Sequence, residues 1–598
     1  LQHIPSIPEN APFNTRQRLW LNGYLAGLFA ASAGPGVADE IPAQPTMPVL
    51  IIYGSQTGTA EGLARRVSKE AKLHRGNPRV VDASAHASID WKAESNLLVI
   101  TSTYGDGDMP DNAQGFWDWL QTENAGALAH LKFSVLALGD TSYEHFCDAG
   151  KKIDARLEQL GAKRIHPRTD CDLDYEAAAK AWMDGVLPAL SATKQENKGQ
   201  AGNGNGHSSL LLPSEENGAE SRTSPVVFSR NNPFPARLLT NRRLNGEGSG
   251  KETRHFEISL EGSGLSYDAG DALGIYPSNC PALVDDLLRA LDCDGEEAVP
   301  GRAGGEIPLR MALTTACDIT KPSAELLQRA AADNTLLREL LAPDRKDDLR
   351  TWLRGREVID LLLETKGVCF APAEFVGLLK RLAPRLYSIS SSPKAHLGQV
   401  HLTVSIVRHE SHGRARKGVC STFLADRAGE ITPVPVFFQA SHGFRLPANG
   451  DTPVIMVGPG TGIAPFRAFL HERRATGAKG RNWLFFGEQR AAADFYYREE
   501  FEQMLADGHL TKLSTAFSRD QADKVYVQHR TIEHAAELWA WLQDGAHFYV
   551  CGDASRMAKD VDAALHTVME TAGGLGREGA AEAVKQLKSG KRYQRDVY

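Results

Sequence analysis

The chain has 598 residues, too many for one hydrophobic core, so two to four domains are expected. Hydrophobic residues make up 42% and charged residues 24%, as in ordinary soluble globular proteins, and no stretch approaches the roughly 18 uninterrupted apolar residues of a membrane helix. The formal charge of -7 leaves no basic footprint, which argues against a nucleic-acid partner. A mildly acidic balance suits docking onto a basic protein face, and suits many cytoplasmic enzymes equally.

Residues 1–46 are rich in Pro and Ala around one helical stretch. Asn14 with Gln17 has the spacing of a capping box. After it, Leu21, Tyr24, Leu25 and Leu28 fall at i, i+3, i+4 and i+7, with Trp20 and Phe29 beside them. This stripe either packs on its own chain or serves subunit assembly or partner docking. No basic region followed by a short apolar core opens the chain, so no secretory signal is expected.

From residue 47 to 191, short apolar runs alternate with helical segments. Runs at 49–53, 97–100 and 134–138 each end in a polar, glycine-bearing loop, and 60–73 has a helical pattern. This predicts a parallel, doubly wound sheet. The first run leads into Ser55, Gln56, Thr57, Gly58, Thr59 and Ala60 and then a helix. Free N–H groups and the positive helix end make such a loop an anion site. It holds no Lys, so it is not a nucleoside-triphosphate loop; alone, it could be an ordinary strand–helix turn. The second run leads to Ser102, Thr103, Tyr104 and Gly105, the third to Leu138, Gly139, Asp140, Thr141, Ser142 and Tyr143. All three loops fall at carboxyl ends of parallel strands, where such sheets bind ligands. Tyr104 and Tyr143 could sandwich a flat ring, or be plain surface tyrosines. The spellings S-Q-T-G-T-A, S-T-Y-G-D-G and L-G-D-T-S-Y-E-H-F-C resemble the three FMN-binding loops of flavodoxin-like domains. The resemblance implies that the first loop holds the ribityl phosphate and that Tyr104 and Tyr143 flank the isoalloxazine. It extends the third loop through Glu144, His145, Phe146 and Cys147.

Residues 192–224 are rich in Gly, Asn, Ser and Glu and cannot build a core, so a flexible linker is expected, spanning roughly 30 Å. Strand-like sequence resumes at 225, and 279–379 is predominantly helical. Arg385, Leu386, Tyr387 and Ser388 place a cation, an aromatic and a hydroxyl on one strand, the groups a flavin dinucleotide needs for its pyrophosphate, its ring and the surroundings of N5. Gly418, Val419, Cys420 and Ser421 open a helix whose start could hold the pyrophosphate. R-L-Y-S-I-S-S-S-P followed by G-V-C-S-T-F-L-A-D resembles the FAD-binding pair of ferredoxin–NADP reductase-type β-barrels. The resemblance implies further FAD contacts at Thr403, Val404 and Ser405 and at Thr320, whose surroundings match loosely. His409 stands where relatives often carry tyrosine. The helical stretch resembles the connecting insert of diflavin reductases within an FAD domain at 225–447.

A second β/α pattern occupies 448–598. An apolar run at 454–457 leads into G-P-G-T-G-I-A-P-F-R, where glycines such as Gly460 and the hydroxyl of Thr461 allow close approach of a pyrophosphate. Ser518 and Arg519, then Lys524, Val525, Tyr526, Val527 and Gln528, supply a hydroxyl, two cations and an aromatic. This order resembles the 2′-phosphate clamp of NADPH reductases, with Asp560 as a further nucleotide contact. By the same resemblance Cys551, Ser388 and Asp596 position and polarise the nicotinamide, and the terminal Tyr598 stacks on the FAD ring as a shield.

The eight cysteines include no C-x-x-C pair and no zinc or iron–sulfur spacing, so no metal site is expected and reduced thiols in a cytoplasmic protein are. The whole is similar to the NADPH-dependent diflavin reductases. The ending Y-Q-R-D-V-Y, the spellings N-W-L-F-F-G and S-R-D-Q-x-x-K-V-Y-V-Q, and L-W-L-N-G-Y-L-A-G-L before the first domain resemble the flavoprotein subunits of assimilatory NADPH–sulfite reductases. This implies transfer from NADPH through FAD and FMN to a separate sirohaem, iron–sulfur haemoprotein, with a homo-oligomer through the N-terminal helix as a further expectation. S-T-Y-G-D-G-D with D-N-A-Q and Y-E-H-F lean toward reductases of haem monooxygenases, which usually carry a membrane anchor. A flavin-binding scaffold without turnover would need only one flavin and no nucleotide clamp.

Overall fold

The computed structural model describes residues 47–55, 58–104, 107–122, 126–140, 145–172, 175–192, 228–301, 304–365, 369–441 and 443–598. The helix expected within 1–46 lies outside them, as does the linker beyond Ala192.

The apolar runs of the first region become β1 (Met47–Gly54), β2 (Gly76–Asp82), β3 (Asn96–Ser102), β4 (Lys132–Leu138), β5 (Lys163–Arg164) and β6 (Thr169–Cys171). All pair in parallel in the order β2-β1-β3-β4-β5, with β6 also on β4. β3 is buried on both faces along nearly its whole length, which is why it reads as an unbroken apolar run rather than an alternating one. The helices Thr59–Leu73 and Glu176–Ala192 cover one face; Asp111–Gln121 and Asp148–Gln159 cover the other. The order reverses between β1 and β3, so their carboxyl ends open a crevice there.

The second region begins with β7 (Phe234–Ala236), β8 (Leu238–Arg243), β9 (Thr253–Ser259) and β10 (Ala272–Ile275). The expected helical insert follows as seven short helices between Pro281 and Leu378 with a core of their own. It also contains a small hairpin, β11 (Ala298–Pro300) with β12 (Glu306–Pro308), too short to stand out in the sequence. The chain returns through β13 (Arg385–Ser388), β14 (Gln399–Ser405), the hairpin β15 (Arg408–Ser411) and β16 (Arg414–Lys417), and β17 (Val434–Gln439). Two antiparallel sheets result, β13-β10-β17-β7 and β14-β9-β8. A bridge between Ile389 and Leu402 links them, and they enclose one shared apolar core.

The last region is a parallel sheet of β18 (Val454–Val457), β19 (Asn482–Glu488), β20 (Lys512–Phe517), β21 (His547–Gly552) and β22 (Tyr593–Val597), in the order β20-β19-β18-β21-β22. The switch point falls between β18 and β21. β22 is the edge strand, and it sets Asp596 opposite Cys551. Among the described residues no helix is long and apolar enough to cross a membrane.

Candidate functional site

Ser55 organises the first loop. Its N–H donates to Asn112 Oδ1 at 2.9 Å, and its Oγ accepts from the N–H groups of Gly58 at 2.9 Å and Ala60 at 3.2 Å. Gly58 turns the chain with φ +85°, a conformation costly for a side chain bearing Cβ. Thr59 thereby starts a 15-residue helix whose positive end faces the crevice. At the second loop, the Thr103 N–H donates to Leu138 O at 2.8 Å and Thr103 Oγ1 accepts from Ala149 N at 3.2 Å, which ties it to the third. There Gly139 is boxed in: an added Cβ would lie 2.7 Å from Cys147 N and 2.9 Å from the Phe146 ring. Cys147 has its thiol buried against the carbonyls of Ala137 and Cys171, and burial pushes it up to about 12. That thiol therefore packs, and any flavin contact at 147 falls to the main chain. Phe146 is half-buried beneath Lys151, and His145 is exposed. Leu138 and Asp140 sit at the end of β4 and just beyond it, as does Ser102 for β3, with its Oγ 3.4 Å from Gly54 O. Gln56, Thr57, Gly105, Thr141, Ser142, Tyr143 and Glu144 lie outside the described residues.

Tyr104 leans across to the last region. Its hydroxyl accepts from the Val597 N–H at 3.2 Å, and its ring packs against that region's core. Beside it, Arg595 makes a two-pronged ion pair with Asp111, Nε to Oδ2 at 3.2 Å and Nη2 to Oδ1.

One residue further along β22, at Asp596, lies a buried cluster. Ser388 Oγ donates to Asp596 Oδ2 at 2.6 Å, and the Cys551 thiol approaches the same oxygen at 3.7 Å. Burial raises the Asp596 carboxyl above its ordinary value, against the two hydrogen bonds that lower it. Burial also pushes the Cys551 thiol well up, so it is a protonated donor and not a nucleophile. Thr461 Oγ1 meets the Tyr598 hydroxyl at 2.8 Å, and Tyr598 is 51% exposed. At Gly462 a Cβ would lie 2.1 Å from Cys551 O, so only glycine lets the loop after β18 pass this close to the cluster. Gly460 turns with φ +59° just before it.

On β13, Arg385 Nη1 donates to Ala383 O at 3.1 Å, Leu386 is exposed, and Tyr387 is pushed up chiefly by burial, with Cys420 beside it. At Gly418 a Cβ would strike Val407 at 2.7 Å. The four-residue helix Val419–Thr422 follows, with Ser421 Oγ accepting from Val407 N at 3.2 Å. These residues leave a main-chain cradle of the kind a pyrophosphate needs. The expected β14 contacts separate. The Thr403 hydroxyl is committed to Tyr497 at 2.6 Å, Val404 is in the core, and Ser405 is exposed at the end of the strand. Thr320 closes a turn on Asp318 Oδ1 at 2.6 Å within the helical insert. His409 is exposed on the β15–β16 hairpin opposite Arg416.

The residues expected to clamp a 2′-phosphate begin at the carboxyl end of β20. Ser518 and Arg519 donate their N–H groups to the carbonyls of Glu488 and Gln489 at 2.9 and 2.8 Å, which fixes the loop and leaves the Arg519 side chain exposed. Lys524 and Tyr526 are exposed nearby in sequence, Val525 is half-buried and Val527 is buried at the start of the next helix. Gln528 Nε2 donates to Asp560 Oδ2 at 3.1 Å, joining two residues that sequence left apart. Arg490, which sequence reasoning missed, approaches Arg519 O at 3.5 Å and adds a third cation. Its only signal was its place two residues past the end of β19.

Sequence reasoning also missed a histidine cluster where the β9–β14 face meets the last region. His255 binds the Tyr497 hydroxyl at 3.0 Å and Glu257 at 3.1 Å. His396 meets His471 at 2.9 Å, and His471 meets Glu500 at 2.7 Å. Arg467 lies 3.4 Å from His401 and pairs with Glu500. Burial, reinforced by Arg467, holds His255 and His396 down to about 4 and His401 to about 2. The unfolded histidines titrate near 6.5, so below that pH the unfolded chain gains protons the folded one refuses, and stability falls from about pH 6.5 toward pH 4. The melting temperature of this half of the chain is expected to drop by about 5 °C or more between pH 7 and pH 5. H396Q and H401Q together should flatten that slope. A melting temperature independent of pH across this window would remove the cluster from the account.

Three family models match the chain in order: flavodoxin at residues 51–182, FAD binding domain at 226–423, and oxidoreductase NAD-binding domain at 456–563. The chain is 45% identical over 605 aligned positions, covering 100% of itself and 96% of the relative, to the sulfite reductase (NADPH) flavoprotein alpha-component of Bacillus subtilis. It is 44% identical, over 98% of itself and 94% of the relative, to the protein of the same description from Vibrio cholerae.

Proposed function

The chain belongs to the diflavin reductases, in the family of sulfite reductase flavoprotein alpha-components, and from that membership we propose how its residues share the work and what receives the electrons. It is an NADPH-dependent oxidoreductase, in which bound NADPH, FAD and FMN supply the redox chemistry, two electrons entering from the nucleotide and leaving singly. Its domains are assigned as 47–191 for FMN, 225–447 for FAD with the insert at 279–379, and 448–598 for NADPH.

The observation that carries the residue assignment is the convergence on β22. Arg595 faces the FMN domain, Asp596 holds Ser388 and Cys551, and Tyr598 meets Thr461 of the nucleotide loop. Ser388 and Cys551 orient the nicotinamide edge through the Asp596 carboxylate. Tyr598 covers the FAD-ring position and must swing aside to admit the nicotinamide. Ser55, the residues through Ala60, and the loops 102–105 and 138–147 hold FMN. Arg385, Tyr387 and the 418–421 cradle hold FAD, with Thr403–Ser405, Thr320 and His409 as weaker contacts. Arg519, Lys524, Tyr526, Gln528 and Asp560 hold the nucleotide.

The acceptor is a separate sirohaem haemoprotein that reduces sulfite to sulfide, in the cytoplasm, where reduced thiols such as those of Cys147, Cys171, Cys420 and Cys551 are at home. Six electrons are needed, so three NADPH per sulfite. Mixed with a sirohaem sulfite reductase subunit, the protein should consume NADPH and sulfide should appear in a 3:1 ratio. NADPH–cytochrome c activity without any sulfide would point to another haem acceptor. The stripe of Leu21, Tyr24, Leu25 and Leu28 serves assembly. Deleting residues 1–46 should leave cytochrome c reduction within about twofold while lowering the particle mass or weakening the haemoprotein complex. Identical masses for both forms, alone and with partner, would reject that role.

A further inference from the structure

Arg595, Asp596 and Tyr598 lie within four residues of the edge strand, yet they serve three different neighbours. Asp111 begins the helix Asp111–Gln121 of the FMN domain, and its ion pair with Arg595 is three-quarters or more withdrawn from solvent on both sides. Beside that pair Tyr104, itself a wall of the FMN site, accepts the Val597 N–H, and the Arg595 guanidinium lies 5.7 Å from its ring centroid. Lys559 and Asp108 add a longer contact at 4.0 Å. The FMN domain therefore grips the main chain one residue before Tyr598. The Tyr598 N–H is in turn bonded to Gly552 O at 3.1 Å.

We propose that this grip makes β22 a shared latch: the FMN domain, docked through Asp111 on Arg595, holds Tyr598 in place, so docking and nicotinamide access oppose each other. The idea rests on Tyr598 being the FAD shield, as proposed above. Its physical content is a two-state exchange. For Tyr598 to swing out, the end of β22 must give. While Tyr104 and Asp111 hold Val597 and Arg595, giving means losing a buried charge-assisted contact and a hydrogen bond. By reciprocity, a nucleotide that displaces Tyr598 must weaken FMN-domain docking by the same factor. The device would impose order: nucleotide in with the FMN domain released, then nucleotide out with the FMN domain seated. Arg595 is on this view a positioning residue, because it acts through the strand and touches neither substrate nor reacting atoms.

The test uses full-length protein carrying both flavins. D111R puts two like charges in the contact, R595D does the same from the other side, and the double variant D111R/R595D restores an opposite pair with its sense reversed. Hydrogen exchange at residues 593–598 and NADP+ affinity by calorimetry are both read without turnover. Each single variant should exchange at least tenfold faster at Val597 and Tyr598 and bind NADP+ about three- to tenfold more tightly. Cytochrome c reduction should fall about tenfold, while ferricyanide reduction by D111R stays near wild type. The double variant should recover protection and lower nucleotide affinity together. High salt should speed exchange at Val597 and Tyr598 in the wild-type protein in the same sense as the single variants. Unchanged exchange in both single variants would overturn the docking contact. Faster exchange with unchanged NADP+ affinity would overturn the latch while leaving the contact. If truncation of Tyr598 changes neither nucleotide affinity nor NADH use, the shield reading fails instead, which separates the two.

Discussion

Replacing Gly139 by Asp is expected to yield a protein that keeps FAD and ferricyanide reduction but loses FMN, with cytochrome c reduction below about 1% of wild type. The geometry leaves little room. A Cβ at 139 would sit 2.7 Å from the Cys147 main-chain nitrogen, a separation that real side chains do not adopt. The main chain cannot yield cheaply, because Cys147 already has φ +57° and its thiol is anchored between two carbonyls. The loop must move, and the aspartate adds negative charge where a phosphorylated, electron-rich cofactor binds. Gly62 is the control: it sits in the helix after the first loop with nothing within 4 Å of an added Cβ, so G62A should keep FMN. Retained FAD with normal ferricyanide turnover shows that the rest of the chain has folded. Undiminished delivery to cytochrome c by the FMN-free variant would falsify the order of electron flow.

The contrast between Gly139 and Arg595 shows what a sequence can disclose here. Gly139 follows an apolar run and precedes hydroxyl-bearing residues, so its role at a strand end is a local pattern, and local patterns are legible. The same holds for Ser55 at a helix start and for the turns at Gly460 and Gly462. The Asp111–Arg595 pair joins residues 484 positions apart. Nothing in either neighbourhood marks it, because an Asp opening a helix and an Arg on an edge strand are both ordinary. Ser388, Asp596 and Cys551 come from three distant segments, and only the resemblance to a family grouped them; the 2.6 Å contact between Ser388 and Asp596 is what gives that grouping a physical basis. At Thr403 the resemblance implies a cofactor contact, and the structure adds a partner that the sequence does not show, the Tyr497 hydroxyl on a remote loop. The histidine cluster escaped for the same reason: His255, His396, His401 and His471 look unrelated until two strands, a loop and a helix bring them together.

Arg519→Ala should raise the Michaelis constant for NADPH about 10- to 100-fold and leave that for NADH nearly unchanged, since one charge-assisted contact to a phosphate is worth that much. The substitution is clean because the frame does not depend on the side chain. The Arg519 N–H holds Gln489 O and its carbonyl faces Arg490, both through main-chain atoms that alanine keeps. The guanidinium itself is exposed and free to form a two-pronged contact with a 2′-phosphate, which a lysine could offer only as a point charge. Arg519→Lys should therefore recover only part of the loss. Lys524 and Arg490 supply the remaining positive field, so K524A and R490A should each cost less than R519A, and combinations should be less than additive because the cations share one anion. The decisive quantity is the ratio of kcat/KM for NADPH to that for NADH. If R519A lowers both by the same factor, Arg519 supports the loop and the discrimination lies elsewhere. If the ratio collapses while kcat with saturating NADPH holds, the binding energy of the 2′-phosphate is spent uniformly on ground and transition states, as a clamp remote from the nicotinamide requires.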